Sequence, residues 1–200
     1  MDAVIFDIDG TLLQSAAVDD DLYQDAVRSV IYEARIRPQL SDYDYVSDSG
    51  ILSQIFLDSG VTEEDHLVDS IKRRFVGLLT DHMKANGPFP ELPGARNFLQ
   101  THIASENHQV AIATGGWQPS ALLKLESAGF AGFDVPVATS DDAKDRKDIM
   151  QHALSQLTGS FNSITYYGDG TWDRDASLEL GWNFVAVGAK LDGLLSYEDL

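Results

Sequence analysis

The sequence predicts an α/β protein with a parallel β-sheet and an inserted all-helical segment. Short apolar runs alternate with helix-periodic segments at the start of the chain and again from residue 95 onward. Repeated strand–helix units of this kind form parallel sheets with helices on both faces. Between these regions, residues 14–87 show only helical spacing. We therefore expect a core domain made of residues 1–13 and 88–200, and a helical cap domain made of residues 14–87.

The first ten residues contain a buried strand that ends in two carboxylates. Ala3-Val4-Ile5-Phe6 is an uninterrupted apolar run, which is typical of a strand covered on both faces. Asp7-Ile8-Asp9-Gly10-Thr11 follows it directly. Because side chains alternate along a strand, Asp7 and Asp9 point to the same side. Two close carboxylates favour a hard cation such as Mg²⁺ between them.

Three helical patterns fill residues 14–87. Apolar residues recur at helical spacing over 20–34, in the short run 51–56 and over 67–82. Residues 87–94 are rich in glycine and proline and mark the return of the chain. Since this segment leaves just after the first strand, we expect it to lie above the sheet edge like a lid.

Helices and strands alternate in the rest of the chain. The pattern predicts helices over 95–103, 120–128, 149–157 and up to Leu180, and strands over 109–113, 135–139, 164–167 and 184–187. Gly129 and Gly181 end two of these helices. Polar clusters follow the strands, at Thr114-Gly115-Gly116, 141–149 and 168–173. They should gather at the carboxyl edge of the sheet, where α/β proteins bind ligands.

The composition is that of a folded and strongly acidic protein. Hydrophobic residues make up 44% and charged residues 23%, and 14 basic against 32 acidic residues give a formal net charge of −18. Such a negative surplus repels polyanions. We expect no nucleic-acid partner, no membrane partner and a monomeric chain.

Neither a membrane segment nor an export signal is indicated. No apolar stretch is long enough to cross a bilayer, and Met1 and Asp2 supply no basic region before the first apolar run. The absence of cysteine excludes disulfides and a cysteine nucleophile. We expect a cytoplasmic protein.

Four clusters together resemble the motifs of the haloacid dehalogenase superfamily. Asp7-Ile8-Asp9-Gly10-Thr11 resembles the first motif, Thr114 after an apolar strand the second, the basic residues within 141–149 the third, and 168–173 the fourth. They occur in the order of the family. The resemblance implies a Rossmann-like core with an inserted helical cap, similar to phosphoglycolate-phosphatase-like relatives, and Mg²⁺ as cofactor.

The resemblance also implies roles for individual residues. Asp7 would be the nucleophile and Asp9 the general acid and base, while Thr114 and the Gly115 N–H would bind the phosphoryl group. Lys144 has the spacing of the third-motif cation. The prolines usual in that motif are missing, so Arg146 or Lys147 could hold the role instead.

Four aspartates are the candidate metal residues by the same resemblance. Asp7 and Asp169 would bind Mg²⁺ through their carboxylates, and Asp9 through its backbone carbonyl. Asp173 would orient the metal's surroundings through a water or the nearby lysine.

Substrate choice is expected to depend on the helical segment. Ser49 and Gly50, within residues 47–51, are candidates for a loop that reaches toward the active site, because a glycine turn and short hydroxyls open a helix there. An ordinary helix cap would show the same pattern. Trp117 and Trp172 directly follow motifs and could line the leaving-group pocket or simply pack.

The sequence thus predicts a Mg²⁺-dependent phosphatase that hydrolyses a small phosphorylated metabolite through an aspartyl-phosphate. One alternative is a phosphomutase, which would return the phosphoryl group to a sugar. The other is a non-catalytic phosphate-binding module.

Overall fold

A computed structural model describes residues 1–198 and residue 200. Its five strands form one parallel sheet in the order β3-β2-β1-β4-β5. The strands are β1 (Asp2–Phe6), β2 (His108–Ala113), β3 (Val137–Ala138), β4 (Ile164–Gly168) and β5 (Asn183–Ala186). The predicted Rossmann-like α/β class is therefore confirmed.

The first strand, which is followed by the two carboxylates Asp7 and Asp9, lies at the centre of the sheet. β1 pairs in parallel with β2, where Val4 aligns with Val110, and with β4, where Val4 aligns with Thr165. Residues Ala3 to Phe6 are all buried. This explains the uninterrupted apolar run, because a central strand of a covered sheet has no solvent-facing side.

Helices cover both faces of the sheet. The helices are α1 (Ala16–Val30), α2 (Asp48–Ser59), α3 (Asp65–Asn86), α4 (Ala95–Ile103), α5 (Gln118–Ser127), α6 (Arg146–Ser155) and α7 (Thr171–Leu180). Val4 and Phe6 pack in the cluster that includes residues of α4 and α5. Ile5 points the other way, into the cluster with α6 and α7. The alternation follows from the two-residue period of a strand.

The helical insertion, residues 14–87, has a hydrophobic cluster of its own. Tyr23 of α1, Ile55 of α2 and Phe75 of α3 are among its buried members. The cluster also takes in Trp117, which directly precedes α5, so the insertion packs onto the core. No strand is found among residues 14–87, although the domain boundaries themselves stay a prediction.

Two helices of the insertion differ from their predicted extents. α1 begins at Ala16 and ends at Val30, four residues earlier at each end than the predicted 20–34. Ile31 leaves the helical conformation while its side chain remains in the apolar cluster, so spacing alone does not reveal the end. α2 begins at Asp48 because Ser47 accepts a hydrogen bond from the Gly50 N–H. Among the described residues, no helix combines the length and apolar character that a membrane span requires.

Candidate active site

The nucleophile candidate Asp7 directly follows the central strand. Its N–H donates to the Tyr167 carbonyl at 2.9 Å, which continues the pairing of β1 with β4 by one residue. The side chain is buried, and Oδ1 has no hydrogen-bond partner among the described residues. A buried carboxylate oxygen without a partner is costly unless a ligand or cation satisfies it.

Asp7 lies in a cluster with Asp169 and Asp173. One carboxylate oxygen from each of the three lies within 4.8 Å of the others, and all three side chains are buried. Asp169 directly follows β4, whereas Asp173 is in the first turn of α7. The Asp173 Oδ2 accepts the Gly170 N–H at 3.1 Å, and its Oδ1 is buried without a hydrogen-bond partner in the described chain.

Burial and mutual repulsion raise the pKa of these carboxyl groups. For Asp7 the pKa lies well above its ordinary range because of burial, an effect that Arg146 opposes and Asp173 and Asp169 reinforce. Burial also raises the pKa of Asp169. A divalent cation would favour the ionised forms. Three converging carboxylates, two with unpartnered oxygens, therefore fit the Mg²⁺ implied by the family resemblance.

The turn after β1 requires glycine. Gly10 has φ +79°, and a Cβ on it would lie 2.3 Å from Asp169 Oδ2. The N–H groups of Thr11, Leu12 and Leu13 all donate to the Ile8 carbonyl. This compact turn brings the backbone at Gly10 against the Asp169 side chain. Glycine is therefore needed here for two reasons, the positive φ of the turn and the close approach of the backbone to Asp169.

Arg146, and not Lys144, supplies the cation beside Asp7. The buried Arg146 guanidinium lies 3.6 Å from Asp7 Oδ1 through Nη1 and 3.2 Å from Asp173 Oδ1 through Nε. Lys144 Nζ instead donates to the Ser53 hydroxyl at 2.6 Å. The third candidate, Lys147, donates to a carboxylate on α7 and does not join the cluster. Helix α6 begins at Arg146. Lys144 therefore precedes the helix and contacts the insertion, and Lys147, one position after Arg146, points toward α7.

Thr114 and Gly115 directly follow β2, the strand that pairs with β1 on the side away from β4. Both line the same cavity as Asp7. The Thr114 Oγ1 is buried and accepts the Gly116 N–H at 3.2 Å. A Cβ on Gly115 would lie 2.6 Å from an Arg146 nitrogen, so this glycine leaves room for the guanidinium. The structure thus brings Asp7, Thr114, Gly115 and Arg146 together.

Asp9 is held by a buried lysine that connects the core to the insertion. Lys124 of α5 has no exposed surface, and its Nζ donates to both Asp9 oxygens at 2.7 Å. It also donates to Asp19 of α1 at 2.5 Å. The Ser15 hydroxyl donates to Asp9 at 2.5 Å. Asp19 and Asp9 raise the pKa of Lys124 and so keep the ammonium charged, although burial opposes them.

A cavity of about 580 Å³ lies above Asp7, between the sheet edge and the insertion. Of the specificity candidates, Trp172 is among its lining residues, and Ser49, Gly50 and Trp117 are not among the described residues that line it. The Trp117 Nε1 donates to the Ser49 hydroxyl at 2.8 Å. Gly50 packs against Tyr45. The contact between Trp117 and Ser49 joins the core to the insertion, whereas the contact of Gly50 lies within the insertion.

The sequence matches the haloacid dehalogenase-like hydrolases over residues 1–181. The chain belongs to this family. Comparison of the sequence with curated proteins found no match.

Solved structures share the fold of this hydrolase. A hydrolase from Pseudomonas syringae is 20% identical, with a TM-score of 0.72 over 93% of this chain and 84% of that one. A β-phosphoglucomutase from Clostridium difficile is 19% identical, with a TM-score of 0.72 over 96% and 86% of the two chains. A predicted phosphoglycolate phosphatase from Haemophilus somnus is 13% identical, with a TM-score of 0.63 over 98% and 89%.

Sequence reasoning missed Lys124 and Asp19 in this hydrolase. Lys124 is at a helix position flanked by buried Ala121 and Leu125, and a lysine on the apolar face of a helix is a detectable signal. Asp19 is the first of three consecutive aspartates, and nothing in the sequence separates it from the next two. The tertiary contact with Lys124 is what distinguishes Asp19 from the next two aspartates.

Proposed function

We propose that this protein is a Mg²⁺-dependent phosphatase that hydrolyses a small phosphomonoester through an aspartyl-phosphate on Asp7. The observation that carries the proposal is the buried Asp7 carboxylate, which has one unpartnered oxygen and faces a cavity beside Thr114 and Arg146. This arrangement combines a nucleophile with groups that bind a phosphoryl dianion.

Asp7, Asp169 and Asp173 are the residues that would hold Mg²⁺. The predicted contribution of the Asp9 backbone carbonyl is part of the proposal. When bound, the ion would neutralise negative charge on the phosphoryl oxygens.

The first step is attack of the Asp7 carboxylate on phosphorus, in line with the leaving alcohol. Arg146, 3.6 Å from Asp7, would bind the phosphoryl oxygens, and the Thr114 hydroxyl would donate to one of them. These groups are fixed before substrate arrives, because Arg146 is buried between Asp7 and Asp173. The third-motif role therefore passes from Lys144 to Arg146 in this proposal.

Asp9 would transfer the protons. Protonated Asp9 gives its proton to the leaving alkoxide, and the resulting carboxylate then takes a proton from the water that hydrolyses the aspartyl-phosphate. Hydrogen bonds from Lys124 and Ser15 hold the Asp9 carboxylate in place for this role.

Phosphate release from an aryl phosphate, measured with Mg²⁺ and again with excess chelator, tests the proposal. We expect release that depends on the metal. Asp7→Asn should abolish turnover with an unchanged circular dichroism spectrum, and Asp9→Asn should slow both steps. Turnover that persists in Asp7→Asn would identify another nucleophile. Ligand affinity without turnover in the wild-type protein would favour a phosphate-binding module.

A further inference from the structure

The cavity above Asp7 has two ends of different charge. At the core end, Arg146 and Lys190 line the wall together with Asp7 and Asp169. At the other end, the insertion contributes Asp19, Asp20 and Asp48, while its remaining lining residues, in the part of the chain that the structure describes, are apolar or uncharged. The insertion places no lysine, arginine or histidine on this wall.

The cations near the cavity are already paired at the core end. Arg146 lies between Asp7 and Asp173, and the Lys190 Nζ donates to Asp169 at 3.1 Å. Both are therefore placed where the transferred phosphoryl group and the metal would lie.

The opposite end keeps a surplus of carboxyl groups. Asp9 and Asp19 share one ammonium group, that of Lys124, which is wholly buried between them, and Asp20 and Asp48 line the same cavity. Burial raises the pKa of Asp20, and Lys190, whose Nζ donates to Asp169, partly opposes this. Burial raises the pKa of Asp48 well above its ordinary range, so this carboxyl contributes the least charge. Burial and the nearby Asp9 also raise the pKa of Asp19, to about 7, so part of its charge is lost near neutral pH. The carboxylates of this end still outnumber the Lys124 ammonium.

Arginines elsewhere on the insertion do not change this balance. Arg37 forms an ion pair with Asp58 at 2.7 Å. Arg28 donates to Gln24 on the exposed side of α1. Neither of them lines the cavity. Because Lys190 already pairs with Asp169, a second anionic group on a substrate would meet a surplus of carboxylates at this end.

We propose that the substrate is a phosphomonoester of an alcohol that carries no anionic group, and that an ammonium group on the alcohol is favoured over an uncharged one. This inference rests on the proposed phosphatase function. It disfavours phosphorylated carboxylic acids and bisphosphates as substrates. It also disfavours the phosphomutase alternative, because phosphoryl return to a phosphorylated sugar creates a bisphosphate that needs two anion-binding ends.

Three esters of nearly equal size separate charge from shape: phosphoethanolamine, 2-hydroxyethyl phosphate and phosphoglycolate. Their leaving groups are cationic, neutral and anionic. One unit charge within roughly 6–8 Å of an unpaired carboxylate changes kcat/KM by about tenfold or more. We expect kcat/KM to fall in the order phosphoethanolamine, hydroxyethyl phosphate, phosphoglycolate, with at least about tenfold between the last two.

Asp20 is the residue to change. It lines the cavity and accepts a hydrogen bond from Gln24 at 3.1 Å, which asparagine can also accept. Asp20→Asn should reduce the ratio of kcat/KM between hydroxyethyl phosphate and phosphoglycolate several-fold. Asp21→Asn is the matched control, because Asp21 is exposed on the same helix and lies outside the cavity lining. It should leave the ratio unchanged.

The outcomes distinguish this inference from the proposed function. If all three esters are hydrolysed and phosphoglycolate is equal or best, the charge inference is wrong while the phosphatase stands. If neither these esters nor an aryl phosphate releases phosphate, the phosphatase proposal fails. In that case calorimetric binding of the three esters to the Asp7→Asn protein still decides the charge order, and tightest binding of phosphoglycolate would overturn it.

Discussion

Replacement of Lys124 by methionine should destabilise the protein strongly. Methionine is close to lysine in length and can fill the same space, so the change removes the charge with little loss of packing. The Lys124 Nζ makes three contacts of 2.5–2.7 Å with Asp9 and Asp19, and the side chain has no exposed surface. Its loss leaves two partly buried carboxylates close together without a counter-charge.

Loss of one member of a buried ion pair costs about 3–5 kcal/mol. For a chain of this length that corresponds to a fall in Tm of roughly 6–20 °C, at about 2–4 °C per kcal/mol. Urea unfolding near pH 7.5, followed by circular dichroism, measures the change directly. The m-value should stay constant if the native fold is retained.

Two further variants make the interpretation specific. Lys84→Met is the control, because Lys84 is exposed and lies 3.6 Å from Asp81 on the same helix; the expected change is below about 1 kcal/mol. Asp19→Asn added to Lys124→Met should recover part of the loss, since one of the two unpaired acids is gone. A loss below about 1 kcal/mol in Lys124→Met would show that the Lys124 ion pairs contribute little to stability.

Three other predictions follow from the site. Arg146→Met should lower kcat/KM at least about 100-fold, whereas Lys144→Met should change it less than about threefold; steady-state kinetics showing the reverse order would return the role to Lys144. Burial raises the pKa of Asp48 well above its unfolded value, so the folded state binds a proton that the unfolded state has released. The free energy of unfolding in chelator should therefore fall as the pH rises above the unfolded pKa of this carboxyl, and fall less in Asp48→Asn; equal urea profiles for both proteins would contradict this. Gly10→Ala forces a φ of +79° on alanine and puts its Cβ 2.3 Å from Asp169. It should cost about 1–3 kcal/mol and weaken Mg²⁺ binding, and unchanged calorimetric affinity would show that the contact is unimportant.

The location of the site followed from local sequence patterns. Apolar runs that end in Asp7, Thr114 and Asp169 predict that these residues meet, because the carboxyl ends of parallel strands share one edge. The structure brings Asp7 and Asp169 into one cluster with Asp173 and lines one cavity with Asp7, Thr114 and Asp169. The identity of a strand and the residue at which it ends depend on a few neighbouring residues. The sequence alone was therefore enough to predict that these side chains meet.

The choice among the three basic residues could not be made in this way. Lys144, Arg146 and Lys147 are within four residues of one another, and their spacing is compatible with more than one register. The first turn of α6 decides, because it turns Arg146 toward Asp7 and Lys147 toward α7. The direction of a side chain at a helix start depends on the residue at which the helix begins, which sequence patterns give only approximately.

Local sequence patterns were sufficient to predict the α/β class, the helical nature of residues 14–87 and the carboxylates at the strand ends. Each of these depends on periodicity or on neighbouring residues. The folded arrangement was needed to see that Arg146 is the cation beside Asp7, that Lys124 joins Asp9 to Asp19, and that the insertion presents Asp20 to the cavity. Lys124 and Asp9 are separated by more than a hundred residues. Contacts of this kind depend on how helices are oriented against the sheet, and no local pattern records that orientation.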